Sequence, residues 1–347
     1  MNDLIKQMNI VYSCLGDDES KRLFQCRMMY ALTADSKYVK QMYEGLPEKL
    51  ELDKVIAKCM NFEEECVYYG AGNDFRIISM LYPGINVQCL CDRDVTKQKN
   101  GWNGITVISP EELIEKKKGA RVVIVTTGFH KEIKQYLITS GVPKNQIVDL
   151  GEIMQSLYNR QYFEPDIILP SEEEIFIDGG CYDCSTSQIF IQWCNGNYSK
   201  IYGFEPDESN YIRCLKRSEQ MANVTLFKKG LWDCEEQLTF ASDCGQGSKI
   251  TNDESGKFSI MTTSIDAVIK DEKVTFIKLD VEGAELKALQ GACNTILNNR
   301  PKLAISIYHK AEDIFEIPKY ILSLHSDYKL YIRHYQFSDC ETILYAI

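Results

Sequence analysis

Long apolar runs are missing from this chain: none of its 347 residues falls in a stretch of the roughly 18 unbroken apolar residues that a membrane-spanning helix needs. The amino terminus places Asp3 and Lys6 early and Asp17, Asp18 and Glu19 soon after, which leaves no apolar core for a signal peptide. Basic charge is also in deficit. With 39 Lys+Arg against 50 Asp+Glu the formal net charge is −11, a balance that argues against a general nucleic-acid binder, whose face toward backbone phosphates must be basic. The 14 cysteines are scattered singly, at about half the density of a disulfide scaffold, as buried thiols in a reducing compartment would be. A soluble cytoplasmic protein is therefore expected. Apolar content of 44% and charged content of 26% are those of an ordinary globular chain, and the length suggests two domains of about 150 residues each.

What is present is a change of period along the chain. From Asn9 to Asn61 apolar residues recur at helical spacing (Leu23, Cys26, Tyr30, Ala31, then Tyr38, Met42 and Leu46), with a break at Pro47, so 1–64 is expected to be a helical leader. From Cys66 short Val- and Ile-rich runs take over: CVYYG (66 to 70), NVQCLCD (86 to 92), ARVVIVTT (120 to 127) and QIVDL (146 to 150). Helical stretches separate them, which reads as a parallel α/β domain over 65–150. Pro165 and Pro170 and weak periodicity place a linker at 151–171. The alternation then restarts with EIFID (174 to 178), KIYGFE (200 to 205), VTLF (224 to 227), VTFIKLD (274 to 280) and KLAISIY (302 to 308). Two closing runs, YKLYIRHY (328 to 335) and ETILYAI (341 to 347), are joined by a turn too short for a crossover helix, so this last pair should be antiparallel. A single sheet running through the whole chain is the less economical alternative.

The strand ends of 172–347 carry polar residues, and in an open parallel sheet the carboxyl edge is where a ligand sits. Asp178 is followed by Gly179 and Gly180, which allow a sharp turn. Glu205 ends the next strand, where a carboxylate can accept both hydroxyls of a ribose. Trp232 and Asp233 follow the third and could border a purine, although a large aromatic there is often simply core. Asp280 ends the fourth, in FIKLDVEGAELKAL (276 to 289), with Glu282 and Glu285 in the first turn of the helix after it, where the helix dipole favours anions. His309 follows the fifth strand at the same edge, next to Tyr308.

On IDGGCYD, YGFEPD, GLWD and IKLDVEGAE, in that order, residues 171 to 347 resemble the FkbM-type methyltransferases, a family of S-adenosylmethionine-dependent O-methyltransferases. The resemblance implies a seven-stranded Rossmann-like methyltransferase sheet with its last strand reversed. It also implies S-adenosyl-L-methionine as cofactor, with Asp178, Gly179, Gly180, Glu205, Trp232, Asp233 and Asp280 around it. Methyl transfer to an acceptor hydroxyl would be an in-line displacement in which Asp280 and His309 orient and deprotonate the hydroxyl. His309 is the expected base, because an unperturbed imidazole titrates near pH 6.5. Glu282, Glu285 and Tyr308 would face the acceptor, a sugar or other secondary metabolite, or a nucleotide-linked sugar. The family has glycine where this chain has Cys184, a residue that fits the loop easily only at negative φ. Cys181 and Cys184 form a CxxC, but no second pair stands at zinc spacing, so no metal is expected.

The first α/β domain has YYGAGNDF (68 to 75), in which Gly70 and Gly72 fit a nucleotide-binding turn and Asp92 closes the next strand, while Phe75 takes the place of the third glycine. This resembles the Rossmann-like domains that accompany sugar-modifying enzymes and suggests a second nucleotide site. Two rival functions remain open: an NAD(P)- or nucleotide-sugar-dependent dehydrogenase or epimerase, for which 66–150 lacks any Tyr-x-x-x-Lys set, and a non-catalytic binding or scaffold protein.

Overall fold

The computed structural model describes residues 2–117, 119–241, 257–270 and 272–347. The chain forms two compact units, one made of Met1–Met42, Arg160–Tyr335 and Asp339–Ile347, the other of Tyr43–Asn159 and Gln336–Ser338.

In the smaller unit β1 (Cys66–Tyr69), β2 (Cys89–Cys91), β3 (Val107–Ile108), β4 (Arg121–Ile124) and β5 (Ile147–Asp149) lie in the order β3-β2-β1-β4-β5, every neighbouring pair parallel. Val67, Tyr69, Cys91, Val122 and Ile124 pack with Ile133 and Leu137 of a covering helix in one core. These are the expected apolar runs; only β3, two residues long, carries too little pattern to be read in advance.

The larger unit is built on a seven-stranded sheet. Its strands are β6 (Glu174–Gly179), β7 (Tyr198–Phe204), β8 (Val224–Phe227), β12 (Phe276–Leu279), β13 (Lys302–Ser306), β14 (Leu330–His334) and β15 (Thr342–Ala346), ordered β14-β15-β13-β12-β6-β7-β8. β15 runs antiparallel to both β13 and β14, as its short approach demands, and the remaining pairs are parallel. Between them β9 (Gly230–Leu231), β10 (Gln237–Ala241) and β11 (Lys257–Thr263) form a three-stranded sheet that the sequence does not announce. On one face Phe176 of β6 and Phe190 stack with centroids 4.2 Å apart, and Phe163, Trp193 and Phe276 of β12 close around them.

Two expected boundaries change. The amino-terminal helices are not a separate leader, because those before Met42 belong to the larger unit. The helix Asp18–Thr33 is capped by Asp17, which accepts the Ser20 N–H at 2.8 Å and pairs with Arg333 of β14 at 2.6 Å; Ser20 Oγ accepts the N–H of Ile332. A helix thus covers the edge of the sheet at β14, an edge that would otherwise present unpaired backbone. Arg27 of the same helix is buried and donates to the carbonyl of Tyr308 at 2.7 Å. The segment 151–171 is not an open linker throughout: the helix Leu150–Arg160 occupies its start, with Leu150, Met154 and Leu157 buried on one face, and the division between the units falls at 159/160. Among the described residues no helix is long and apolar enough to cross a membrane.

Candidate active site

The strands followed by Asp178, Glu205, Asp280 and His309 end at the same carboxyl edge of the larger sheet, but the structure gives their side chains different tasks. Asp178 is fully buried. Its Oδ1 lies 3.1 Å from Nζ of Lys278, its register partner on β12, and its Oδ2 accepts from Ser187 at 2.6 Å. Lys278 also donates to the carbonyls of Gly179 and Gly180, at 3.0 and 2.8 Å. Burial works against its ammonium, yet Asp178 and Asp280 outweigh that and hold it charged. Asp178, fully buried and paired with Lys278, is therefore placed to fix the glycine loop from below. Gly180, at φ +72, lies so close to β12 that a Cβ would stand 1.8 Å from the carbonyl oxygen of Asp280, so glycine here is a packing necessity. Tyr182 and Cys184 in the same loop are also left-handed, with φ of 52 and 61. The negative φ that would suit Cys184 is not what the loop adopts.

Glu205 ends β7 as a buried carboxylate whose oxygens accept the N–H groups of Tyr182 (3.0 Å) and Asp207 (2.9 Å). Burial, partly offset by these two bonds, moves its pKa up to about 7. A carboxylate has about four acceptor positions. Two are used here, which leaves room for a diol. Trp232 is half-buried and held by its backbone N–H on the Thr263 carbonyl, 2.9 Å away; its ring faces Lys287, whose Nζ lies 5.6 Å from the centroid and pairs with Asp233 at 2.6 Å.

The end of β12 is the densest cluster. Asp280 accepts from the hydroxyls of Tyr162 (2.7 Å) and Tyr308 (3.1 Å), and Tyr308 reaches on to Glu341 at 3.4 Å, which Gln161 also contacts. Burial and the nearby Asp280 raise the Glu341 pKa to about 7. His309 sits among carboxylates: Nδ1 is 2.9 Å from Glu285, and Nε2 is 3.6 Å from both Asp280 and Glu282. Burial would lower its pKa, but Glu285, Asp280 and Glu282 overcome that and raise it to about 9. The expected role of His309 as base is thereby corrected, because at neutral pH it is an imidazolium with no lone pair to offer. Glu285, fully buried, accepts the N–H groups of Val281 (2.9 Å) and Gly283 (3.3 Å) and caps the turn; it is not exposed to an acceptor. Glu282 keeps about half of its side chain exposed, at φ 56.

Residues 182–338 match the family model described as the methyltransferase FkbM domain. This stretch of the chain is similar to the FkbM methyltransferases. Among solved structures, a methyltransferase FkbM from Methylobacillus flagellatus KT aligns over 95% of this chain and 99% of its own, at 20% identity and a TM-score of 0.49. An rRNA methylase from Streptococcus thermophilus aligns over 51% and 86%, at 15% identity and a TM-score of 0.34. Aeropyrum pernix fibrillarin, in complex with natively bound S-adenosyl-L-methionine, aligns over 55% and 72%, at 10% identity and a TM-score of 0.34. No curated protein matches the sequence.

Before this stretch, Gly70 has φ +116 and Gly72 precedes the helix Asn73–Leu81. Asp92 does not stand free for a ribose: it accepts the N–H groups of Ala71 and Asp94, each at 2.9 Å, and pairs with Lys97 at 3.1 Å. Lys278, although it lies within IKLDVEGAE, and Tyr162 and Glu341 are the site residues to which motif reading assigns no role. Lys278 has a signal in hindsight, since a lysine between Ile277 and Leu279 in a central parallel strand has to find an anion. Oxygen and nitrogen atoms of Asp280, Glu285 and His309 lie within 4.8 Å of one another, as do the sulfurs of Cys181, Cys184 and Cys214.

Proposed function

We propose that this chain transfers a methyl group from S-adenosyl-L-methionine to a hydroxyl of a small acceptor, a sugar or other secondary metabolite. The observation that carries this reading is the joining of Asp280, Tyr308 and Glu341 in one hydrogen-bonded chain at the strand edge, beside a glycine loop packed directly on Asp280. Glu205, with acceptor positions unused, fits the ribose diol, and the acidic cluster at the end of β12 fits a cationic sulfonium. When bound, the cofactor supplies an electrophilic methyl group. The chain's own residues supply orientation and a path for the proton. Asp280 accepts the hydrogen bond of the acceptor hydroxyl, and Tyr308 links Asp280 to Glu341, whose pKa suits it to hold a proton near neutral pH. His309, as a cation between three carboxylates, keeps the cluster charged and compact. Trp232 and Asp233 border the adenine, Glu282 faces the acceptor, and the acceptor's identity decides the rest. The turn at Gly70 and Gly72 remains a candidate second nucleotide site, the one through which a nucleotide-linked sugar could be held.

Calorimetric titration of the full chain with S-adenosylmethionine tests the cofactor. Glu205→Gln should weaken binding about 10- to 100-fold, the worth of hydrogen bonds to a charged acceptor. Because burial holds Glu205 at about 7, affinity in the native chain should rise as pH increases through about 7, and that dependence should vanish in the variant. A native chain that takes up no S-adenosylmethionine at any pH would sink the proposal.

Turnover should follow a bell. Glu341 must lose its proton, so kcat rises through about pH 7; His309 must keep its proton, so kcat falls above about 9. Glu341→Gln should remove the lower limb while leaving the upper one. Folding stability follows the same sign for His309: raised above its unfolded value, it contributes fully below about pH 6.5 and that contribution is lost as pH climbs through about 9. Rates independent of pH between about 6 and 10 would exclude both groups.

A further inference from the structure

Three cysteines that the proposed methyl transfer does not use meet beneath the glycine loop. Cys181 and Cys184 come from the loop after β6, and Cys214 comes from the helix Glu208–Ser218. All three are buried to 1% exposure or less, and their sulfurs lie within 4.8 Å of one another, with Cys181 and Cys214 at 3.6 Å. Met221 and Leu226 pack against the triad.

The backbone around it is shaped for these sulfurs. Cys184 holds φ 61 and ψ 19, left-handed geometry that glycine adopts freely and that costs an L-residue about 1 kcal/mol or more. Space alone would favour glycine there, so the strain is accepted for what the side chain brings, and that side chain is a fully buried thiol. Gly203 of β7 makes the complementary concession: a Cβ on it would stand 3.2 Å from Sγ of Cys181 and 2.7 Å from Leu226. One residue therefore gives up its side chain where the cluster needs room, and another keeps one where the backbone resists it.

We infer that Cys181, Cys184 and Cys214 form a closed site for a thiophilic divalent cation of the zinc type, one that pins the glycine loop to the helix behind it. A tetrahedral zinc–thiolate site with bonds of about 2.3 Å sets its sulfurs about 3.8 Å apart, so the triad needs adjustments of no more than about 1 Å. The carbonyl oxygen of Tyr182, 3.3 Å from Sγ of Cys214, lies at the rim and offers the fourth donor. Each cysteine that still carries its S–H proton releases it to solvent as the thiolate takes the ion, and no electron is moved. A disulfide would use two of the sulfurs and leave the strain at Cys184 without a purpose, whereas a metal uses all three. The absence of a second CxxC does not exclude zinc, because the third ligand arrives from a helix that the fold lays across the loop.

The test uses the reduced full-length chain, with Zn(II) as titrant against a competing chromophoric chelator and Co(II) as spectroscopic probe. One Zn(II) per chain is expected, together with a thiolate-to-cobalt charge-transfer band and a higher melting temperature with Zn(II) than with chelator. Cys184→Gly removes one sulfur and relieves the left-handed strain, so the fold should survive while zinc affinity drops by at least about 100-fold. Cys214→Ser should lose the ion likewise, and Cys194→Ser, a buried cysteine outside the triad, should keep it. Equal zinc binding by the native chain and Cys184→Gly would overturn the inference. So would a native chain that takes up no Zn(II), or one isolated with a Cys181–Cys214 disulfide, which would make the triad a redox pair instead.

Discussion

Replacing Lys278 by Met should destabilise the larger unit by about 3–5 kcal/mol, the cost of leaving a buried charge without its partner. Asp178 is fully enclosed, and its other oxygen has only the Ser187 hydroxyl. The carbonyls of Gly179 and Gly180 would lose their common donor as well. Chemical denaturation of the single variant should show the full loss. The double variant Asp178→Asn, Lys278→Met should recover much of it, because a neutral amide and a thioether carry no uncompensated charge. If the double variant is no more stable than Lys278→Met, the ion pair is not what the loop rests on. Ligand binding gives a second readout: in Lys278→Met the glycine loop loses its anchor, so any cofactor affinity should fall even under conditions where the fold persists.

Asp280→Asn should lower kcat by about 100- to 10,000-fold, the usual worth of a positioned general acid or base. The substitution is nearly isosteric and keeps acceptor capacity for one tyrosine hydroxyl, so the fold should hold and the melting temperature should change little. It removes the negative charge that faces His309 and the end of the Tyr308–Glu341 chain. With S-adenosylmethionine as the proposed methyl donor, the loss should persist in kcat at saturating cofactor, over and above any weakening of cofactor binding from the lost charge. Retention of native turnover would take Asp280 out of the chemistry. A loss confined to KM for the acceptor would make it a binding group only.

Much of this site can be read from strand ends. Asp178, Glu205, Asp280 and His309 each follow an apolar run, and a parallel sheet brings such positions to one rim whatever the intervening loops do. What the pattern cannot supply is the direction of a side chain after it leaves the strand. Asp178 turns inward because Lys278 stands beside it in register, so a residue expected to face a ligand becomes part of the foundation. His309 looks like a base by its type and place, and only the three surrounding carboxylates, drawn from the turn after β12, decide its charge. Tyr162, Glu341 and Cys214 lie far along the chain from the motifs they complete. Their contribution depends on topology: the reversal of β15 and the crossing of one helix. The two-residue β3 falls below what periodicity can reveal, since alternation over so few residues is indistinguishable from chance.

The covering of β14 by the helix Asp18–Thr33 bears on how this unit can be dissected. The segment that matches the family, 182–338, begins after β6 and stops before β15, so it omits the central strand that carries Asp178 and the reversed strand that seats β14. Cut out along those lines, it would be a fragment with a gap through its middle and not an autonomous unit. A cut at 172 would keep every strand of the sheet yet strip the amino-terminal helix, opening β14 as a sticky template for a neighbouring chain and releasing the carbonyl of Tyr308 from Arg27. The first 42 residues thus belong to the same compact unit as the sheet they cover, and that unit is discontinuous in sequence.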